Sequence, residues 1–261
     1  MVTAANGIGR LEPKAKAALI NFLRRSGSLE RTCALSAELI IDKQAARADL
    51  ALVTGKSLHC FEIKTARDTL IRLDKQIEIY SAHADMVTVV AATRHVNAAL
   101  SRLPKHVGIF ELVSFSGSDD VRVVRQAKTS ASHDPVAMLS LLPATEIQKR
   151  LLPNSNQRRR VDMVREASVL PADIIKAAVI DFMCERYRPT TSALLQATRR
   201  RAIKPDDLIH LRRWRAEGNA DAAQGSSVRE PVISNLDQET YRHVGQSFGP
   251  VPTEIRELLG F

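Results

Sequence analysis

The spacing of apolar residues changes character once along this chain, and that change constrains its fold most. Up to about residue 130, short extended segments alternate with segments of helical period. This alternation predicts an α/β fold in which helices flank a mixed β-sheet. The predicted strands are 32–41, 46–53, 57–63, 86–92, 107–113 and 121–126, and the predicted helices are 13–25, 67–82 and 95–102.

Beyond residue 134 the pattern predicts helices only, and prolines separate them. The chain therefore divides into an α/β domain over residues 1–130 and an all-α accessory domain over 131–217. Residues 218–261 are rich in polar residues and glycine, which predicts a flexible acidic linker before a short terminal helix. The predicted helices of the accessory domain are 135–142, 145–152, 158–168, 171–187, 191–202 and 205–217.

Positive charge is concentrated in the first two of these parts. The chain has 38 Lys and Arg against 29 Asp and Glu, a net charge of +9. Residues 1–130 carry +6 and residues 150–215 carry +8, whereas the chain from 216 onward carries −4. The accessory domain contains arginine clusters at 158–160, 199–201 and 212–215, the last around Trp214. This distribution favours a polyanionic partner such as nucleic acid, although solvated helix faces have the same composition.

Several classes of protein are excluded by missing patterns. The sequence has no apolar run near the roughly 20 residues of a membrane-spanning helix and no secretory signal, so we expect no membrane partner. Its three scattered cysteines fit a reducing compartment, and we predict a cytoplasmic location. The spacings of zinc sites, nucleophile elbows, dinucleotide-binding loops and phosphate loops are absent.

The candidate chemistry lies on a predicted hairpin around Gly55 and Lys56. If the turn is centred there, the numbers of opposed residues sum to 111, and Asp49 lies across from Glu62. Carboxylates opposed in this way are about 5 Å apart and can share a divalent cation. Strand alternation places Lys64 on the same face as Glu62. Two acids and a lysine beside a metal suit phosphodiester hydrolysis, whereas the alternative is an ordinary charged strand surface.

These residues belong to a longer set of motifs over residues 10–115. The set resembles the PD-(D/E)XK nuclease superfamily, whose restriction-endonuclease-like fold is a mixed sheet bracketed by helices. It resembles most a small family of bacterial and phage proteins in that superfamily, although Ala48 replaces the proline of the superfamily's name. The matching motifs are Glu38-Leu39, Arg47-Ala48-Asp49, Glu62-Ile63-Lys64, Asp68-Thr69-Leu70, Arg72-Leu73, Gln76-Ile77-Glu78-Ile79-Tyr80-Ser81 and Arg94-His95.

The resemblance implies a metal site that binds Mg²⁺ or Mn²⁺. Asp49, Glu62 and the carbonyl of Ile63 are its implied ligands, and Lys64 is the implied catalytic lysine. Glu38 matches an upstream acid that completes the metal site in such nucleases. The alternative for Glu38 is a surface carboxylate on an edge strand.

Gln76 and Tyr80 resemble the Gln-x-x-x-Tyr motif of RecB-type nucleases. Their spacing of four places them on one helix face, where Gln76 can reach a nucleotide or a metal-bound water. Tyr80 is a candidate nucleic-acid contact, but it also lies on the apolar stripe of its helix, so it can equally pack against the sheet. Arg47 and Arg94 are candidate phosphate contacts.

The sequence thus predicts a divalent-metal-dependent nuclease, with DNA as the favoured substrate. The first alternative is a nucleic-acid-binding subunit of a defence or repair complex, whose cleavage is weak or depends on a partner. A protein partner or a homo-oligomer is compatible with either hypothesis. The second alternative is a structural protein whose hairpin acids are surface charges.

Overall fold

Six strands form one mixed sheet whose strand order follows the sequence. The computed structural model describes residues 11–29, 34–42, 46–115 and 118–211. The first part of the chain forms α1 (Leu11–Arg25), β1 (Ala34–Ile41), β2 (Ala46–Val53), β3 (Leu58–Lys64), α2 (Leu73–His83), β4 (Met86–Ala92), α3 (Thr93–Arg102), β5 (Gly108–Phe115) and β6 (Ser118–Arg125).

The sheet combines antiparallel and parallel pairing. Strands β1, β2 and β3 are antiparallel neighbours, β3 to β5 are parallel, and β6 returns antiparallel to β5. Parallel neighbours need a crossover, and α2 and α3 provide the two crossovers. The predicted α/β fold with a mixed sheet and flanking helices is confirmed.

The described chain beyond residue 134 is helical, as predicted. It contains α4 (Pro135–Met138), a 3₁₀ turn (Leu139–Leu141), α5 (Ala144–Arg150), α6 (Arg160–Ala167), α7 (Ala172–Ala197) and a 3₁₀ segment (Pro205–Leu211). No helix in the described part of the chain is long and apolar enough to cross a membrane. The predicted linker and terminal helix of 218–261, and the arginines around Trp214, lie outside the described residues.

The predicted break at Pro189 is wrong, because α7 passes through that proline and is 26 residues long in total. Proline lacks the N–H that its turn would donate and usually ends a helix. Here tertiary contacts hold the following turn in place, since Thr191 is 2% exposed and its hydroxyl accepts a hydrogen bond from the Leu35 amide at 2.7 Å. The contact lies on β1, at the edge of the sheet.

Both faces of the sheet are covered by apolar cores. One core joins β1–β5 to α2, α3 and the helices from α4 to α7, and the other joins the sheet to α1 and to Leu194, Ile203, Leu208 and Leu211. The buried Asp85 also links the two parts, because it accepts a hydrogen bond from the Leu58 amide at 2.9 Å and pairs with Lys176 of α7. The predicted boundary at residue 130 therefore marks the change from strands to helices, while residues on both sides share the same cores.

Candidate active site

The β2–β3 hairpin has the predicted register along the part that leads to the candidate acids. Four pairs from Leu50 with Phe61 to Val53 with Leu58 have numbers that sum to 111. The ladder ends at Leu50 and Phe61, and Asp49 and Glu62 are the next residue on each strand. Beyond this last pair, the Ile63 amide donates to the Asp49 carboxylate at 2.6 Å.

Glu62 and Lys64 form a buried ion pair on one face of β3. Their relative exposures are 3% and 6%, and Lys64 Nζ donates to Glu62 Oε1 at 2.7 Å. Gln76 of α2 bridges the pair, since its Nε2 donates to Glu62 Oε1 at 2.7 Å and its Oε1 accepts from Lys64 Nζ at 3.1 Å. The side-chain amide of Gln76 therefore holds both charged groups of β3 against the first turn of α2.

Tyr80 of α2 contacts the same carboxylate from the core. Its hydroxyl lies 2.8 Å from Glu62 Oε2 and 2.8 Å from the Arg47 carbonyl, and the side chain is fully buried. Burial and the charge of Glu62 raise the pKa of the Tyr80 phenol far above its usual value, so the hydroxyl remains a neutral donor. The prediction that Tyr80 contacts nucleic acid is wrong for this structure, because Tyr80 packs in the core and holds Glu62.

Asp49 lies in an unfavourable electrostatic environment for a carboxylate. Burial, followed by the nearby charge of Glu62, raises the pKa of Asp49 from 3.8 to about 7. The hydrogen bond from the Ile63 amide opposes this shift only in part. A positive charge placed beside Asp49 would therefore be strongly attracted.

A second acidic group meets Asp49 from β1 and α1. Glu12, Glu38 and Asp49 each present a carboxylate oxygen, and these oxygens lie within 4.8 Å of one another. Glu38 adopts a left-handed backbone conformation with φ of 57°, between the ladder pairs that flank it on β1. Such a conformation is uncommon for a non-glycine residue, and here it occurs opposite Asp49. We call Glu12, Glu38 and Asp49 the acidic cluster.

Two cations of the chain neutralise part of the acidic cluster. Lys16 is 6% exposed and donates to Glu12 at 2.6 Å and to Glu38, and Arg47 Nε lies 2.7 Å from Glu38. Burial lowers the pKa of Lys16, but its hydrogen bonds to the two glutamates outweigh that effect and raise the pKa overall. Lys16 therefore remains an ammonium ion within the cluster.

The acidic cluster has the ligand chemistry of a hard cation. Mg²⁺ binds oxygen at about 2.1 Å and Ca²⁺ at about 2.4 Å, so oxygens on opposite sides of one ion are roughly 4.2 to 4.8 Å apart. The three carboxylate oxygens lie within 4.8 Å of one another, which satisfies the larger of these two limits. Glu62 is not a member of this group of three, although its charge acts on Asp49. The predicted ligand roles of Glu62 and of the Ile63 carbonyl stay predictions.

These residues open into a cleft of about 790 Å³. Its walls include Asp49, Glu62, Ile63 and Lys64. Exposed cations stand around it, namely Arg47 as predicted and also Arg72 and Lys75 from the start of α2. The apolar side chains of Ile40, Ile71 and Ile79 complete the walls beside the acids.

Other candidate cations lie apart from this cleft or have internal partners. Arg94 is exposed, and it donates to His95 and to the Asp68 carbonyl rather than lining the cleft. Arg160 donates to the carbonyls of Leu139 and Leu142, while Arg201 makes a bidentate ion pair with Asp207. Within the arginine clusters, Arg158, Arg159, Arg199 and Arg200 are exposed.

Sequence reasoning missed Glu12, Lys16 and Lys75, and it placed Arg72 in a matching motif without giving it a role at the site. Glu12 and Lys16 are one helical turn apart, a spacing that could have identified an ion pair but not its neighbours on β1 and β2. Arg72 and Lys75 flank the first turn of α2 and lie close in sequence to Gln76. Their proximity to Gln76 was the available signal.

Comparison with known proteins identifies the family of this chain. The model of the family described as "Bacteriophage P4 protein cII" matches residues 7–212. The chain belongs to the bacteriophage P4 protein cII family. It is 28% identical over 214 residues to "Protein cII" of Enterobacteria phage P4, with 80% of each chain covered. No solved structure matches.

The family match includes the whole candidate site. Every residue of the cleft and of the acidic cluster lies between residues 12 and 79, inside the matched range. The match also continues through α7, consistent with the cores that α7 shares with the sheet. The matched family is a phage family, whereas the predicted place of the chain in the PD-(D/E)XK superfamily stays a prediction.

Proposed function

We propose that this member of the protein cII family is a divalent-metal-dependent nuclease that hydrolyses phosphodiester bonds, with DNA as its substrate. The observation that carries the proposal is the convergence of Asp49, Glu62 and Lys64 in one cleft bordered by cations. The α/β fold and the motif spacing support membership of the PD-(D/E)XK superfamily. Phosphates would be attracted by the surrounding cations, and the acids would hold Mg²⁺ or Mn²⁺.

The metal-binding residues in this proposal are Asp49 with Glu12 and Glu38, and Glu62 is adjacent. When bound, a divalent cation supplies Lewis-acid stabilisation of the charge on the phosphate. Of these residues, Asp49 should be stabilised most by the cation, because its carboxylate is buried beside another acid. The cation would relieve that repulsion and replace the charge of Lys16 in the cluster.

Lys64 would orient a water or a phosphate oxygen. An ammonium group has three N–H donors, and two of them point to Glu62 and Gln76. In the described structure the third has no protein partner, so it is available to substrate at the cleft. Gln76 and Tyr80 are positioning residues, since they hold Glu62 and thereby Lys64.

The test is cleavage of linear, circular, single-stranded and duplex DNA with Mg²⁺ or Mn²⁺. We expect Asp49→Asn and Lys64→Met to lose activity by at least about 100-fold, the scale of removing a group that stabilises a transition state. Lys56→Ala is the matched control, because Lys56 is exposed in the turn of the same hairpin. Equal cleavage by the wild type and the Lys64→Met and Glu62→Gln variants would refute the proposal.

A second candidate function is a nucleic-acid-binding subunit of a defence or repair complex with weak or partner-dependent cleavage. The burial of the Glu62–Lys64 pair favours it, because both charges already have partners in the isolated chain. The exposed Arg199 and Arg200 near the end of α7 offer further contacts to a nucleic-acid backbone. Binding of DNA without cleavage under all metal conditions would support this function over the first.

A further inference from the structure

The cleft contains apolar side chains that the described part of the fold leaves exposed. Ile71 is 83% exposed and Ile40 is 52% exposed, and both line the cleft that contains Asp49 and Lys64. An isoleucine exposed to this degree adds almost nothing to a core. Packing in the core therefore does not explain why these two isoleucines lie at the cleft.

The loop before α2 holds Ile71 in this position. Its neighbours Leu70 and Leu73 are buried, and the Leu73 amide donates to the Leu70 carbonyl at 3.1 Å. Earlier in the loop, Asp68 accepts from both the amide and the hydroxyl of Thr65 at 2.7 Å. These contacts anchor the loop, and the anchored loop directs Ile71 towards solvent.

Cations surround these apolar side chains. Arg72 follows Ile71 directly, Lys75 lies one helical turn further on, and Arg47 stands across the cleft wall near Ile40 in the β1–β2 ladder. A ligand that contacts both the cations and the isoleucines must offer phosphates and apolar surface at adjacent points. A duplex offers phosphates outward but keeps its base faces stacked inside, whereas a single strand offers both.

We propose that the cleft binds a single nucleic-acid strand whose unstacked bases contact Ile71 and Ile40 while its phosphates contact Arg47, Arg72 and Lys75. The inference rests on the proposed nuclease function and names its substrate class. Architectural proteins show that aliphatic side chains can contact unstacked base faces, since their apolar wedges open a base step of a duplex. Ile71 is then a residue that determines strand preference.

The test measures binding separately from cleavage. An oligonucleotide with a central 2-aminopurine, whose fluorescence rises on unstacking, is titrated with the full chain in Ca²⁺ and again in EDTA, as a single strand and as a duplex. Ile71→Ala is compared with Val169→Ala, because Val169 is also 83% exposed but lies after α6, outside the lining of the cleft. Thermal unfolding of both variants confirms that they are folded.

We expect the wild type and Val169→Ala to bind the single strand at least about 10-fold more tightly than the duplex, with a rise in fluorescence. Ile71→Ala should bind the single strand about 5-fold more weakly, with a smaller rise, because it removes three apolar carbons from the contact. Its duplex affinity should be unchanged. Unchanged single-strand affinity in Ile71→Ala, or a preference for duplex, would overturn this inference while leaving the nuclease proposal intact. Failure of the wild type to bind either form would instead count against the proposed function.

Discussion

Replacing Asp49 by asparagine should stabilise the metal-free protein, although it removes a residue of the proposed active site. The pKa of Asp49 is raised from 3.8 to about 7, so the native state keeps this proton after the unfolded chain has lost it. The free energy of unfolding therefore falls as pH rises through this window. A shift of this size corresponds to a loss of about 4 kcal/mol when the window has been crossed.

The asparagine side chain would mimic the protonated aspartate without its titration. At pH 8 in EDTA, we expect the Asp49→Asn variant to be more stable than the wild type by about 2 to 4 kcal/mol. At pH 4 the two proteins should be nearly equal, because the wild-type carboxyl is then protonated in the native state. Asparagine also retains an oxygen that can accept the hydrogen bond from the Ile63 amide.

The divalent cation should remove most of this difference in stability. At a concentration 100 times its dissociation constant, a ligand that binds only the native state adds about 2.7 kcal/mol to the free energy of unfolding. Mg²⁺ or Mn²⁺ should therefore restore most of the stability of the wild type at pH 8 and add much less to Asp49→Asn.

The assay is urea denaturation followed by circular dichroism at pH 4, 6 and 8, with EDTA or with the metal. Asp206→Asn is the control, since Asp206 lies in the 3₁₀ segment of Pro205–Leu211, outside the cleft. If Asp49→Asn is less stable than the wild type at pH 8 in EDTA, the burial of the Asp49 charge beside Glu62 is not the dominant effect. Equal stabilisation of both proteins by metal would also contradict the proposed ligand role.

Three further variants test separate contacts. Lys16→Gln removes the ammonium ion from the acidic cluster and should raise the affinity for Mn²⁺ about 5-fold by calorimetry, because the cation loses a competitor; a lower affinity would show that Lys16 assists the metal. Tyr80→Phe removes a donor to Glu62 and should cost about 2 kcal/mol in urea denaturation, and no loss would mean that this hydrogen bond is replaced. Gly108→Ala would place a Cβ 2.9 Å from the Ala127 amide nitrogen, and we expect it to lower the free energy of unfolding by about 2 kcal/mol and to lower the Tm. An unchanged Tm would show that the backbone at the start of β5 shifts at little cost in stability.

Local patterns predicted the hairpin correctly because register and side-chain alternation are short-range properties. The β2 range and the parallel strand at 86–92 agree with the sequence-based expectation, and Lys64 lies beside Glu62 as predicted. The prediction for Pro189 failed because propensity does not include packing. The contact between Thr191 and Leu35 joins residues 156 positions apart, which no local pattern reveals.

At the candidate site, too, local patterns predicted some features and tertiary packing decided others. Gln76 and Tyr80 were recognised by their spacing, but their role in holding Glu62 depends on where α2 packs against β3. Glu12 and Lys16 belong to a helix whose apolar face predicts burial only in general terms. Their approach to Glu38 and Asp49 required the complete sheet with α1 packed on it.

By itself, the sequence determined the α/β class, the hairpin and the face on which Glu62 and Lys64 meet. These follow from periodicity, turn position and charge, which act over a few residues. Only the tertiary structure decided that Tyr80 is buried, that Lys16 neutralises the acidic cluster and that Ile71 remains uncovered beside the cations. These properties depend on burial and on distances between elements far apart in the chain, because solvation and Coulomb interactions are determined by the assembled surroundings of each group.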